Sequence, residues 1–161
     1  METTITLPVP VPEGREVQKM LFELIDKAVR CSESTVPVET GGTIVAIYQG
    51  KDKNPLAANV VDLAFAVASS AALVRMPPRI VDEAKKQGAL PESLVDVFHE
   101  VANIFSALMN SARSPHLVLR RVTTMAELDD EERAVLASPR RLLQTIDVEG
   151  YGTGYCAFVC A

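Results

Sequence analysis

Asp96, Glu100 and Asn103 stand at spacings of four and three, which on a helix brings two carboxylates and an amide onto one side. With Ala107 and Asn110 they fall within about 80° of one another at 100° per residue, so they form one narrow ridge. Leu94, Phe98, Val101, Phe105, Leu108 and Ala112 make the opposite, core-facing stripe. A solvated helix face usually interleaves lysine or arginine four residues from its acids, yet neither occurs between Lys86 and Arg113. The cation that these acids lack is therefore expected from a partner. An amide such as Asn103 accepts one hydrogen bond and donates another, so it can orient a water without acting as a base or nucleophile. Glu100, one turn earlier, can pair with a partner's lysine and set the docking register, and Asp96 extends that contact.

Other chemistries fit less well. His99-Glu100-Val-Ala-Asn103 is one residue short of a zinc-binding H-E-x-x-H, but Asn103 replaces the second ligand and His116 is the one other histidine, so no metal is expected. Gly150-x-Gly-x-Gly154 has too short and too β-prone a continuation to supply the helix N-terminus of a phosphate loop. There is no nucleophile elbow, P-loop or C-x-x-C motif. Arg113, Arg120, Arg121, Arg140 and Arg141 read as a basic patch serving solubility or a docking rim.

With 16 basic and 21 acidic residues the net charge is −5, which argues against non-specific nucleic-acid binding or an anionic membrane surface. Cys31, Cys156 and Cys160 are odd in number and no secretory leader is visible, so a reduced, cytoplasmic protein is expected. The apolar stretch Val60 to Met76 is interrupted by Asp62 and Arg75 and stopped by Pro77 and Pro78, which makes it a buried helix and not a membrane span.

These elements must hold the ridge. The 161 residues make one domain, 14–161, behind an extended proline-rich leader, 1–13. Helical periodicity predicts a first amphipathic helix from Arg15 to Cys31 and the buried helix at about Val60 to Arg75. A polar helix from Arg79 to Gln87 is closed by Gly88, and the ridge helix runs from Pro91 or Glu92 to about Ala112. Val36 to Gln49, broken by Gly41-Gly42, reads as a hairpin whose second strand is Thr43 to Tyr48, followed by a turn at Gly50 to Pro55. His116 to Val122 reads as a strand and Met125 to Ala137 as an acidic helix. Leu142 to Val148 and Tyr155 to Cys160 are closing strands. The fold class is α+β, a mostly antiparallel sheet with two long helices packed on it. The final strand is expected at an exposed edge, where it can extend a sheet across a two-fold axis in a homodimer.

Asp96-x-x-x-Glu100-x-x-Asn103 resembles the D/S-x-x-x-E-x-x-N signature of the CheC, CheX and FliY family of chemotaxis phosphatases, which dephosphorylate the response regulator CheY. The order of elements agrees, over roughly Arg15 to Ala161. A single motif is more similar to CheX than to the duplicated CheC, since the first helix offers only Glu23 and Asp26 on the corresponding stripe. The family usually has Gly before the Glu, Gly four after the Asn and Pro 23 after it, where this chain has His99, Ala107 and Ala126. The resemblance implies a phosphorylated CheY-like response regulator as partner, with Glu100 and Asn103 catalytic and Asp96 and Glu100 at the contact. It implies no cofactor of the chain's own, because the Mg²⁺ of this reaction belongs to the regulator, which leaves the positioning of an in-line water to the helper. The alternative is a catalytically inactive CheX-like binding or dimerisation module in signal transduction.

Overall fold

The computed structural model describes residues 7–161, so Met1 to Thr6 of the leader lie outside the described residues. Strands β1 (Val29–Glu33), β2 (Ile44–Gln49), β3 (Pro55–Val61), β4 (Val118–Thr124), β5 (Arg141–Val148) and β6 (Gly152–Cys160) form one sheet in the order β1-β5-β6-β3-β2-β4. Every pairing is antiparallel, and the hairpins β2/β3 and β5/β6 are joined where β3 pairs with β6, Val61 opposite Cys156.

Among the described residues six α-helices cover the two faces: α1 (Gly14–Ile25), α2 (Val38–Gly41), α3 (Leu63–Leu73), α4 (Arg79–Gln87), α5 (Glu92–Phe105) and α6 (Asp130–Leu136). On one face α3 lies between α1 and α5, and Val17, Leu21, Phe65, Phe98, Phe105 and Phe158 share its core. Phe105 stacks on Phe65 at 6.3 Å between ring centroids and meets Phe158 edge-on at 5.3 Å. Burial of each such ring contributes roughly 2–3 kcal/mol. On the other face α2 and α6 cover Val45, Ile47, Val60, Ala157 and Val159. The centre of α3 is buried all round, as the middle helix of a layer must be. It starts at Asp62, whose carboxylate accepts the Phe65 amide at 2.8 Å. Burial raises the Asp62 pKa, against the lowering effect of that bond. Gly154 lies directly under this turn, where a Cβ would come within 2.4 Å of the Phe65 nitrogen.

The α+β, antiparallel reading holds, with several corrections. Three long helices, not two, pack on the sheet, and a second face is covered as well. The first helix stops at Ile25 instead of Cys31. Asp26 adopts a left-handed φ of 58° and returns its amide to the Phe22 carbonyl, which frees Cys31 to join β1. The hairpin predicted within Val36 to Gln49 is a short helix followed by β2, whose hairpin partner is β3, an unforeseen strand. The buried helix accordingly begins at Leu63 and not at Val60.

The ridge helix ends at Phe105, short of Ala112, and the chain continues as a 3-10 turn, Ser106–Met109. Leu108 is only half-buried and Ala112 is exposed, so neither completes the core stripe. The helix expected over Met125 to Ala137 is a 3-10 turn and then α6, because Asp129 and Glu132 form a capping box that sets its start. The final strand is not an edge: β6 lies between β5 and β3, and the edges are β1 and β4. This removes the reason given for sheet extension through it. The described part of the leader is docked, with Val9 only 3% exposed and its carbonyl accepting a bond from Arg140 at 2.5 Å.

Candidate functional site

α5 follows Pro91, whose carbonyl accepts the Leu94 amide at 2.8 Å. Leu94, Phe98, Val101, Ala102 and Phe105 face the core, and helical geometry then turns Asp96, His99, Glu100 and Asn103 outward, where all four are exposed. The structure therefore brings together the three residues singled out from the motif. Among the described residues the side chains of Asp96, Glu100 and Asn103 make no hydrogen bond or ion pair. Asn110 leaves the ridge: its amide oxygen accepts the Leu117 amide at 2.8 Å, which closes the loop leading to β4. Ala107 remains exposed, in the 3-10 turn.

The last turn of α5 is fixed from below. The hydroxyl of Tyr48, fully buried on β2, donates to the Ala102 carbonyl at 2.6 Å. In a continuing α-helix that carbonyl would receive the Ser106 amide. Here the Ser106 amide goes to the Asn103 carbonyl, which also receives the Ser106 hydroxyl at 2.7 Å. Tyr48 thus accompanies the change from α-helix to 3-10 turn and holds the peptide unit that precedes Asn103. Burial raises the pKa of the Tyr48 hydroxyl well above its ordinary value, so it remains a donor. A tyrosine in an otherwise apolar strand was the signal available for this role, since a buried tyrosine needs a partner for its hydroxyl.

The arginines expected to form a patch, Arg113 apart, each bond to groups of the fold, although Arg120 is itself exposed. Arg121 makes a forked pair with Glu132, Nη2 to Oε1 at 2.5 Å and Nε to Oε2 at 3.0 Å, while Arg120 Nε lies 3.8 Å from the same carboxylate. Glu132 is 0% exposed, and the Arg121 hydrogen bonds are the main cause that lowers its pKa. Arg140 donates to the Ala161 carbonyl at 2.6 Å, and Arg141 to that of Leu136 at 2.6 Å.

No group of three or more histidine, cysteine or acidic side chains among the described residues could hold a metal ion, and no helix there is long and apolar enough to cross a membrane. Burial raises the thiols of Cys31 and Cys160 to about 11.

No protein-family model matches this sequence, and no curated protein is detectably similar to it. Solved structures are similar in fold. The FliM middle domain from H. pylori superposes with a TM-score of 0.57 at 8% identity, over 91% of this chain and 84% of the other. FliM in its complex with FliG, from the same organism, gives 0.54 at 9% identity, over 91% and 85%. FliY of Thermotoga maritima gives 0.51 at 10% identity, over 89% and 82%. The chain thus shares its fold with FliY, a member of the family its ridge motif resembles, and with the FliM middle domain.

Proposed function

We propose that this chain binds a phosphorylated, CheY-like response regulator through the outer ridge of α5 and accelerates hydrolysis of its aspartyl phosphate. The observation that carries the reading is the joint exposure of Glu100 and Asn103 on one helix face that has no lysine or arginine of its own. Glu100 and Asp96 supply the docking charge, and Asn103 orients the attacking water. The regulator brings the phosphoryl group and its Mg²⁺, so the helper has only to place one water, worth roughly 10²-fold to 10³-fold by analogy with single-donor deletions. The proposed setting is cytoplasmic, and the proposal requires no homodimer.

The test is to mix the chain with phosphorylated receiver domains from its own source and time phosphate release. Acceleration of at least one supports the proposal. No acceleration across the whole set, at any protein concentration, defeats it.

A second reading rests on the motif flanks, where His99, Ala107 and Ala126 stand in place of the family's usual residues, and on the likeness to FliM, one structure of which is a complex with FliG. In that reading the ridge is a binding surface without catalysis. Saturable binding of a receiver domain with no change in phosphate lifetime would select it.

A further inference from the structure

The basic residues of this acidic chain are unevenly used. Arg120, Arg121, Arg133, Arg140 and Arg141 are all engaged with carboxylates or carbonyls of the fold. At the β1 edge of the sheet a cleft of about 430 Å³ opens between α1 and β1, lined by Arg15, Gln18, Lys19, Phe22, Val29 and Arg30. It holds three cations and no carboxylate, on a chain of net charge −5. Lys19 and Arg30 have no ion-pair partner among the described residues. Arg15 meets Glu13 at 2.7 Å, but both side chains are more than half exposed, and such pairs contribute little and are readily displaced.

Phe22 is 52% exposed, the highest value among the exposed large apolar side chains, although α1 buries Val17, Leu21 and Ile25 on its other side. Arg15, Lys19 and Phe22 recur at spacings of four and three, so they line one side of α1, and Arg30 faces them from β1. An aromatic ring beside two unpaired cations and one exposed, weakly paired one is the composition of a surface that takes an apolar anchor within an acidic sequence. The Gln18 carboxamide oxygen accepts the outward amide of Cys31 at 2.9 Å, so the edge of β1 is partly closed to strand addition and contact falls to the side chains. No charged side chain of the cleft is buried, unlike the enclosed polar groups that hold a small anion.

We infer that the α1/β1 cleft is a second docking surface, which binds an acidic segment of a partner protein through Arg15, Lys19 and Arg30 with an apolar residue seated on Phe22. α1 and α5 are the two outer helices of their layer, so this surface is separate from the α5 ridge and does not depend on the phosphatase reading.

The probe is a fluorescein-labelled peptide of aspartates flanking one tryptophan, with a lysine-for-aspartate counterpart, titrated with the full chain and read by anisotropy. The acidic peptide is expected to bind saturably and to weaken as salt rises, while the basic one does not bind. Lys19→Glu with Arg30→Glu is expected to weaken it by about tenfold or more, Phe22→Ala by about tenfold, and Glu100→Lys not at all. All these side chains are exposed, so the fold is expected to be retained, which circular dichroism checks. Absence of saturable binding, or binding indifferent to the Lys19 and Arg30 reversals, would overturn the inference. Self-association in sedimentation that Phe22→Ala abolishes would also overturn it, by making the occupant a second copy of the chain.

Discussion

Glu100 on α5 and Glu132 on α6 are both helical carboxylates, and the molecule treats them in opposite ways. Glu132 is fully buried, forked to Arg121, approached by Arg120 and bonded to the Asp129 amide, so every part of its charge has a partner within the fold. Glu100 is exposed on a helix without a cation, beside exposed Asp96 and Asn103. Burial demands internal pairing, because an unpaired carboxylate in the interior is costly, whereas an exposed one can remain free for another molecule. The contrast separates carboxylates that hold the structure together from those available for an encounter. It also places Arg120 and Arg121 of β4 on the internal side of the contrast, since both approach Glu132.

The largest expected effect comes from breaking the internal side of this contrast. Arg121→Ala leaves Glu132 buried with the Asp129 amide and the distant Arg120 as its partners, and is expected to cost about 3 kcal/mol of unfolding free energy, less if Arg120 moves in. Chemical denaturation measures it, and a loss below about 0.5 kcal/mol would place Glu132 among the ordinary surface acids.

The same pair predicts a pH dependence. Because the folded-state pKa of Glu132 is lowered by Arg121, its contribution is fully present above the unfolded value and is lost as pH falls through the folded one. Stability is therefore expected to decline below about pH 4.5, and Glu132→Gln, which can still serve the capping box, is expected to flatten that decline. An unchanged acid limb in the variant would assign the pH dependence to other groups.

Tyr48→Phe probes what supports the free side. It deletes the hydroxyl bound to the Ala102 carbonyl in the core, with an expected cost of about 1–2 kcal/mol. In the proposed function it also lowers the rate of phosphate release while leaving regulator binding unchanged, since the peptide unit next to Asn103 loses its anchor. A variant of reduced stability and full rate would limit Tyr48 to a packing role. Asp96→Asn is the smallest change: an exposed acid at the margin of the ridge is expected to alter regulator affinity by less than about 1 kcal/mol and stability not measurably.

The two regions were not equally legible in the sequence. The ridge was, because Leu94, Phe98, Val101 and Phe105 specify which side of α5 is buried and so leave Asp96, Glu100 and Asn103 outward. Its support was not, since Tyr48 and Ala102 are 54 residues apart and meet only when β2 passes beneath α5. β3 escaped notice for a related reason. Both of its faces are covered, so Ala57, Ala58, Val60 and Val61 show no alternation and run into the equally apolar α3. The fate of the arginines was hidden as well, because composition reveals a cluster of cations but not the buried Glu132 that engages two of them.

The most direct test of the catalytic reading of the ridge compares phosphate release from a saturating, phosphorylated receiver domain in the presence of wild type, Asn103→Ala and Glu100→Lys, with binding measured in parallel. The account predicts that Asn103→Ala binds nearly as wild type and loses the acceleration, by about 10²-fold. Glu100→Lys is expected to bind about tenfold more weakly, by reversing a docking charge. Full acceleration by Asn103→Ala would contradict the assignment of water positioning to this residue and with it the proposed mechanism.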